Sequence, residues 1–116
     1  MAHIVIIGAG LGGMTMAYDM RHHARKEDKI TVISDRPTFH FVPSNPWVAV
    51  SWRKREEIEL DAGTYLNRRN IDFMANGVKR VHPEQNQLEL NDGSSINYDF
   101  LIIATGPKLA FDEIEG

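Results

Sequence analysis

Six residues near the start of the chain, GAGLGG from Gly8 to Gly13, hold the clearest chemical signal in the sequence. They set Gly8, Gly10 and Gly13 in a G-x-G-x-x-G spacing directly after a run of branched apolar residues, HIVIIG. In that setting Gly8 permits a tight turn, Gly10 lets backbone approach a pyrophosphate, and Gly13 lets the next helix pack close to the strand. Ala9, Leu11 and Gly12 complete the turn, and the helix N-terminus behind it offers unpaired N–H groups and about half a positive charge. The chemistry is phosphate recognition, and with a strand on either side it becomes dinucleotide binding. The chain contains no cysteine, so it can form no disulfide, thiolate metal site or thiol nucleophile. Any redox chemistry must belong to a bound cofactor.

The ribose position is less regular. Such units place Asp or Glu at the end of the second strand, about 20 residues on, to hold the ribose hydroxyls. Here that position is Ser34, followed by Asp35 and Arg36. Either Asp35 takes the role or backbone holds the nucleotide, and an arginine beside a missing acid also suits the 2′-phosphate of NADP.

These residues need a scaffold, and the pattern supplies one. His3 to Gly8 and Lys29 to Ser34 read as buried parallel strands. Met16, Ala17, Met20 and Ala24 recur at helical spacing, giving a helix from about Gly12 to Arg25 with Arg21, Arg25 and Lys26 near its C-terminal end, where cations suit the dipole and where His22 and His23 read as further dipole caps. Strand, glycine turn, helix and strand make a right-handed βαβ unit. Further on, EEIEL reads as a short extended piece, DAGTYLNRRN as a helix capped by Asp61, and Ile71 to Ala75 as the next strand. GVKRVHPE, QLEL and SSINYDF then form a three-stranded antiparallel meander, with Asn91 to Ser94 (NDGS) as a hairpin turn. Phe100 to Gly106, FLIIATG, is again a buried strand. The fold class is α/β: a Rossmann-like dinucleotide-binding unit, parallel βαβ plus antiparallel meander, and incomplete.

One stretch looks wrong for a connecting loop. Phe39 to Val48, FHFVPSNPWV, sets four rings and two prolines in ten residues, so this surface must be buried or laid against something flat. The readings are core packing for Phe39 and Trp47, and either core or ligand contact for Phe41.

Composition narrows the class. A chain of 116 residues suits one hydrophobic core, and 42% hydrophobic with 25% charged residues is ordinary for a globular protein. A net charge of -3 without a sustained basic run gives no footprint for nucleic acid. RKREE, Arg53 to Glu57, nearly cancels its own charge and reads as a solvated turn. The run IVIIGAGLGG is too short and glycine-rich for a signal peptide or spanning helix. His3, His40 and His82 lie far apart and show no ligand spacing, so no metal site is expected. Met14, Met16 and Met20 read as gap-filling core residues.

The ending Ala104-Thr105-Gly106, on a strand that follows an antiparallel meander, resembles the second FAD fingerprint of the flavoproteins with two dinucleotide-binding domains. Within them, FVPSNPWV together with ATGPKLAF resembles the bacterial, membrane-associated sulfide:quinone oxidoreductases, and the likeness spans nearly the whole chain. The resemblance implies FAD as cofactor. Gly8 to Gly13 would meet its pyrophosphate, Ser34 and Asp35 its ribose, Val78 its adenine through backbone, Thr105 and Gly106 the second fingerprint. Phe41, Val42, Pro43 and Ser44 would line the flavin.

For the longer protein the resemblance implies sulfide oxidation through cysteines beside the flavin, electron transfer to quinone, and peripheral attachment to a membrane through a C-terminal region. None of those cysteines lies in these residues, so no catalytic residue is expected here, and residues 1–116 are expected to be the N-terminal part of the FAD-binding domain. Two alternatives stay open. A type II NADH dehydrogenase would share the FAD and need a second glycine motif, whereas a free-standing NADP module would prefer NADP. Oligomeric state is not legible.

Overall fold

The computed structural model describes residues 1–115. Its centre is a four-stranded parallel sheet made of β1 (His3–Ile7), β2 (Lys29–Ile33), β5 (Asp72–Met74) and β9 (Phe100–Ile103), in the order β5-β2-β1-β9. Strand β1 pairs in register with β2 on one side, Ile4 beside Ile30, and with β9 on the other, Ile4 beside Phe100. The remaining strands are β3 (Thr38–His40) and β4 (Glu59–Asp61), which form a two-stranded antiparallel sheet, and β6 (Val78–His82), β7 (Gln87–Leu90) and β8 (Ser95–Asn97), which form the antiparallel meander. Parallel sheet, βαβ unit and meander match the expected α/β class.

The alternation of side chains along β1 explains the layering. Ile4 and Ile6 point to one face and pack with Ile30, Val32, Ala17, Leu66 and Ile71, beneath the helices. Val5 and Ile7 point to the other and pack with Ile33, Leu88, Leu90 and Tyr98 of the meander side. Both faces of β1 and β2 are therefore covered, which is why these strands read as continuous apolar runs. Val5, Ile6, Ile30, Val32 and Ile33 are fully buried, each stabilising the fold by about 1.5–3 kcal/mol.

Helix α1 runs Leu11–His23, ending two residues before the expected Arg25. Ala24 turns extended, and Asp28 ties the following turn: its carboxylate accepts from the Ala2 N–H at 2.8 Å and the Arg25 N–H at 3.0 Å. Met14, Met20 and Ala24 pack against the helix-face core as expected, whereas Met16 is exposed. Helix α3 (Ala62–Asn67) has the expected cap, Asp61 accepting from the Thr64 N–H at 3.0 Å. Strand β9 stops at Ile103, short of Gly106: the Ala104 N–H makes one more bond to the Ile7 carbonyl at 2.8 Å, and the chain then turns away, Gly106 taking φ +70°. The turn after β7 contains Asp92-Gly93, with Gly93 at φ +85°, as the hairpin signal requires.

The aromatic stretch is not a loop. It begins as β3, continues through a 3-10 turn at Val42–Ser44 and becomes the short helix α2 (Asn45–Ala49). Strand β3 pairs with β4, Phe39 beside Leu60. Helix α2 ends in a Schellman motif, Trp52 N–H bonding Trp47 C=O at 2.8 Å and Ser51 N–H bonding Val48 C=O at 3.1 Å. The residue in the left-handed position is Ser51, φ +62°, where glycine is usual. EEIEL likewise divides into a 3-10 turn (Arg55–Ile58) and β4.

Candidate functional site

A cleft of about 820 Å³ opens at the carboxyl ends of the parallel strands. It lies where the strand order reverses, β2 to one side of β1 and β9 to the other, the place at which open α/β sheets bind ligands. Three strand ends are tied together there: Gly8 N–H donates to Ile33 C=O at 2.8 Å, and Ala104 N–H to Ile7 C=O at 2.8 Å.

The glycine turn forms the cleft floor, with Gly8, Ala9, Gly10, Leu11 and Gly12 all lining it. Gly8 has φ +108°, and a Cβ on it would sit 2.3 Å from the Ala104 carbonyl oxygen. The two fingerprints therefore touch at this glycine, a contact that the spacing alone does not disclose. Gly13 does not line the cleft. A Cβ there would sit 1.8 Å from the Gly8 carbonyl oxygen, so it serves the close helix–strand packing expected of it. Gly10 and Gly12 have open space where a Cβ would be, which leaves room for a phosphate against the backbone. Helix α1 has Gly10 at its N-cap with no side-chain cap, and its first turn contains no acid. Its N-terminal N–H groups are free to meet an anion.

Beyond the end of β2, at the expected ribose position, the cleft is lined by Ser34, Asp35, Arg36, Gly77, Val78 and Asn91. Ser34 is buried, and its hydroxyl accepts the Arg36 N–H at 3.3 Å, so it serves its own turn. Asp35 is exposed and meets Arg36 at 3.8 Å. Among the described residues, Asp35 is the one carboxylate that lines the cleft. Gly77 was not singled out from sequence: its N–H bonds Ser34 C=O at 2.9 Å, its φ is +70°, and a Cβ would meet the Asn91 amide at 2.3 Å. The signal was the Asn-Gly pair ahead of β6, a turn dipeptide whose partner, Asn91, lies across a hairpin.

At the other end Ala104, Thr105, Gly106 and Pro107 face Val42, His40 and Thr38. Of the four residues expected against a flavin, Val42 lines the cleft and Phe41, Pro43 and Ser44 do not. Ser44 is buried, its hydroxyl accepting from Arg53 at 3.1 Å, and Arg53 lies over the Trp47 ring at 3.8 Å. Trp47 remains 43% exposed, which corrects the expectation that it packs in the core, while Phe39 does pack against the helix-face core. His40 was read only as a non-ligand. Its ring nitrogens meet Glu59 at 3.2 Å and Asn45 at 2.6 Å, joining β3, β4 and α2 behind the cleft wall. Glu59 also accepts from Arg55 at 2.9 Å, and these bonds hold its carboxyl below the usual range.

Among the described residues no cluster of His, Asp or Glu is placed to hold a metal, and no helix is long and apolar enough to cross a membrane. The cleft offers backbone donors, a helix N-terminus and one carboxylate, Asp35. It can bind and orient an anionic dinucleotide.

Comparison with known proteins agrees with this geometry. The family model described as pyridine nucleotide-disulphide oxidoreductase matches residues 2–116. Sulfide-quinone reductase of Aquifex aeolicus (strain VF5) is 43% identical over 109 residues, which are 94% of this chain and 25% of that protein. The mitochondrial sulfide:quinone oxidoreductase of Dictyostelium discoideum is 26% identical over 97% of this chain and 25% of its own length. The crystal structure of the Aquifex aeolicus sulfide:quinone oxidoreductase superposes with a TM-score of 0.91 at 42% identity, over 96% of this chain and 26% of that one. The chain spans about a quarter of the length of the curated relatives it matches.

Proposed function

The chain belongs to the pyridine nucleotide-disulphide oxidoreductase family, and from that premise we propose that it is the FAD-binding segment of a flavoprotein that oxidises sulfide and passes the electrons to quinone. The observation that supports this reading most is the meeting of the two fingerprints at Gly8, beside a cleft with space against Gly10 and Gly12. The name of the 43% identical relative supplies the substrates.

In this reading the dinucleotide lies along the cleft. Gly8 to Gly12 and the α1 N-terminus hold the pyrophosphate, Asp35 the ribose, and the Gly77–Val78 backbone the adenine end. His40, Val42 and Thr105 to Pro107 form the wall at the flavin end. Gly13 and Ser44 act from behind, the first by seating α1 and the second by tying the wall to Arg53. The bound FAD supplies two-electron acceptance from sulfide, and the protein supplies placement. The overall change, HS⁻ + quinone + H⁺ → S⁰ + quinol, balances in electrons and protons. Cysteines for sulfur transfer and a quinone site among apolar residues lie outside these residues, and a lipid-soluble quinone places the whole enzyme at a membrane surface. Residues 1–116 carry part of its FAD-binding domain.

The test is an anaerobic visible spectrum of the intact protein, with sulfide added first and NADH afterwards. Bleaching of the oxidised flavin band by sulfide, reversed by a soluble quinone, is the expected result. Bleaching by NADH alone would replace sulfide with NADH as donor, and absence of a flavin band would remove FAD from the reading.

A further inference from the structure

We infer that Asn91 reads the adenine ring of the bound dinucleotide and makes the cleft selective for adenine over guanine. The inference rests on the reading that FAD occupies this cleft. Asn91 follows β7 and lies at the ribose end, where its side chain lines the cleft together with Gly77, Val78 and Asp35. Among the described residues its amide enters no side-chain hydrogen bond, so its donors and its acceptor are free for a ligand.

The amide is held in place without being used up. It rests on Gly77, so close that a Cβ on that glycine would sit 2.3 Å from its nitrogen. The Asn91 N–H bonds Gly77 C=O at 3.2 Å. The next residue locks the turn: Asp92 accepts from the Ser94 N–H at 2.9 Å, the Ser94 hydroxyl at 2.5 Å and the Asn76 amide at 2.6 Å. Asn76 and Asn91 therefore flank one small platform, with Gly77 at its centre, and the chain is preorganised before any ligand arrives.

An amide presents one donor face and one acceptor face side by side. That pair is complementary to adenine, which offers an N6 donor next to an N7 acceptor. Guanine offers two acceptors on the same edge, N7 and O6, and one amide cannot satisfy both. Ordinary backbone contact through Val78 would not draw this distinction along that edge. A bidentate amide contact discriminates between bases by roughly 5- to 150-fold.

The test uses the intact protein with its flavin removed, titrated with FAD, FMN, ADP and GDP, for wild type, Asn91→Ala and Asn91→Gln. The expected result is FAD and ADP binding weakened by roughly ten-fold in Asn91→Ala. FMN and GDP binding are unchanged, and the preference for ADP over GDP narrows by the same factor, the Val78 backbone keeping what remains. Asn91→Gln, whose amide is the same, recovers part of that preference. FAD affinity and the ADP preference both unchanged in Asn91→Ala overturn the inference and leave the FAD reading standing. Equal weakening of FAD and FMN overturns it too, since the side chain then acts through the fold. Failure of wild type to take up FAD removes the reading on which the inference rests.

Discussion

Two neighbouring glycines with opposite surroundings give the sharpest test of the glycine turn. Gly12 and Gly13 are successive residues of α1, yet a Cβ on Gly12 meets nothing within 4 Å, whereas one on Gly13 would sit 1.8 Å from the Gly8 carbonyl oxygen. For Gly13→Ala to fit, α1 must retreat from the Gly8 turn by about 1.6 Å to reach the 3.4 Å of an ordinary contact. Both partners are backbone, so no side chain can swing aside. Over-packing of this kind costs about 1–3 kcal/mol. At about 2–4 °C per kcal/mol for a larger domain, the Tm of the intact protein falls by roughly 2–12 °C. Gly12→Ala gains up to about 1 kcal/mol of helix propensity instead, so its Tm holds or rises. Gly12 lines the cleft, so a methyl there takes up space beside the bound phosphates, and dinucleotide affinity is expected to fall although the fold is intact. The assay is a pair of thermal melts, with and without added FAD, and a binding titration for each variant. A Gly13→Ala protein that melts with wild type, or a Gly12→Ala protein that binds like wild type, would refute the account of the turn.

Three further outcomes follow from local geometry. Ser51→Gly relieves a left-handed residue at φ +62° in the Schellman motif after α2, and a Tm rise equivalent to about 0.5–1 kcal/mol is expected after allowing for glycine's greater entropy loss. His3 is held below the ordinary histidine value of 6.5 by burial and by Lys29, while its ring contacts the Thr31 hydroxyl at 2.8 Å. The unfolded chain therefore takes up the proton first as pH falls, so stability declines below about pH 6.5, and in His3→Gln this slope is reduced in melts taken across that range. Asp61, capping α3, is held below its ordinary 3.8 by the Thr64 hydroxyl and N–H. Its contribution is present above that value and is lost as pH falls through the lower folded value, so Asp61→Asn shows a lower Tm at neutral pH and a smaller loss in acid than wild type.

What the sequence disclosed was local. The glycine turn and the Asp92-Gly93 hairpin each depend on residues a few positions apart, and each turn forms where those residues put it. The pairing of β3 with β4 was not visible, because three-residue strands about 20 positions apart leave no periodicity to count. The same distance hid Gly77 and Asn91, which are a turn glycine and a polar turn residue until the hairpin brings one onto the other. Ser44 and Trp47 were misplaced for a related reason: Arg53, read as part of a solvated charge run, is the residue that ties them together.

The pairing of β1 with β9 also has a temporal meaning. His3 and Asp99 exchange bonds, the His3 N–H to the Asp99 carboxylate at 2.7 Å and the Asp99 N–H to the His3 carbonyl at 2.8 Å, across 96 positions of chain. On a ribosome, β1, α1 and β2 emerge long before β9 does, and non-local parallel pairings form slowly because loop closure precedes their reward. The Ala104 carbonyl reaches Gly8 only when this last strand docks. Until then β1 keeps one side unpaired and the glycine turn has no opposing wall, so the cleft is expected to take shape only after β9 has docked.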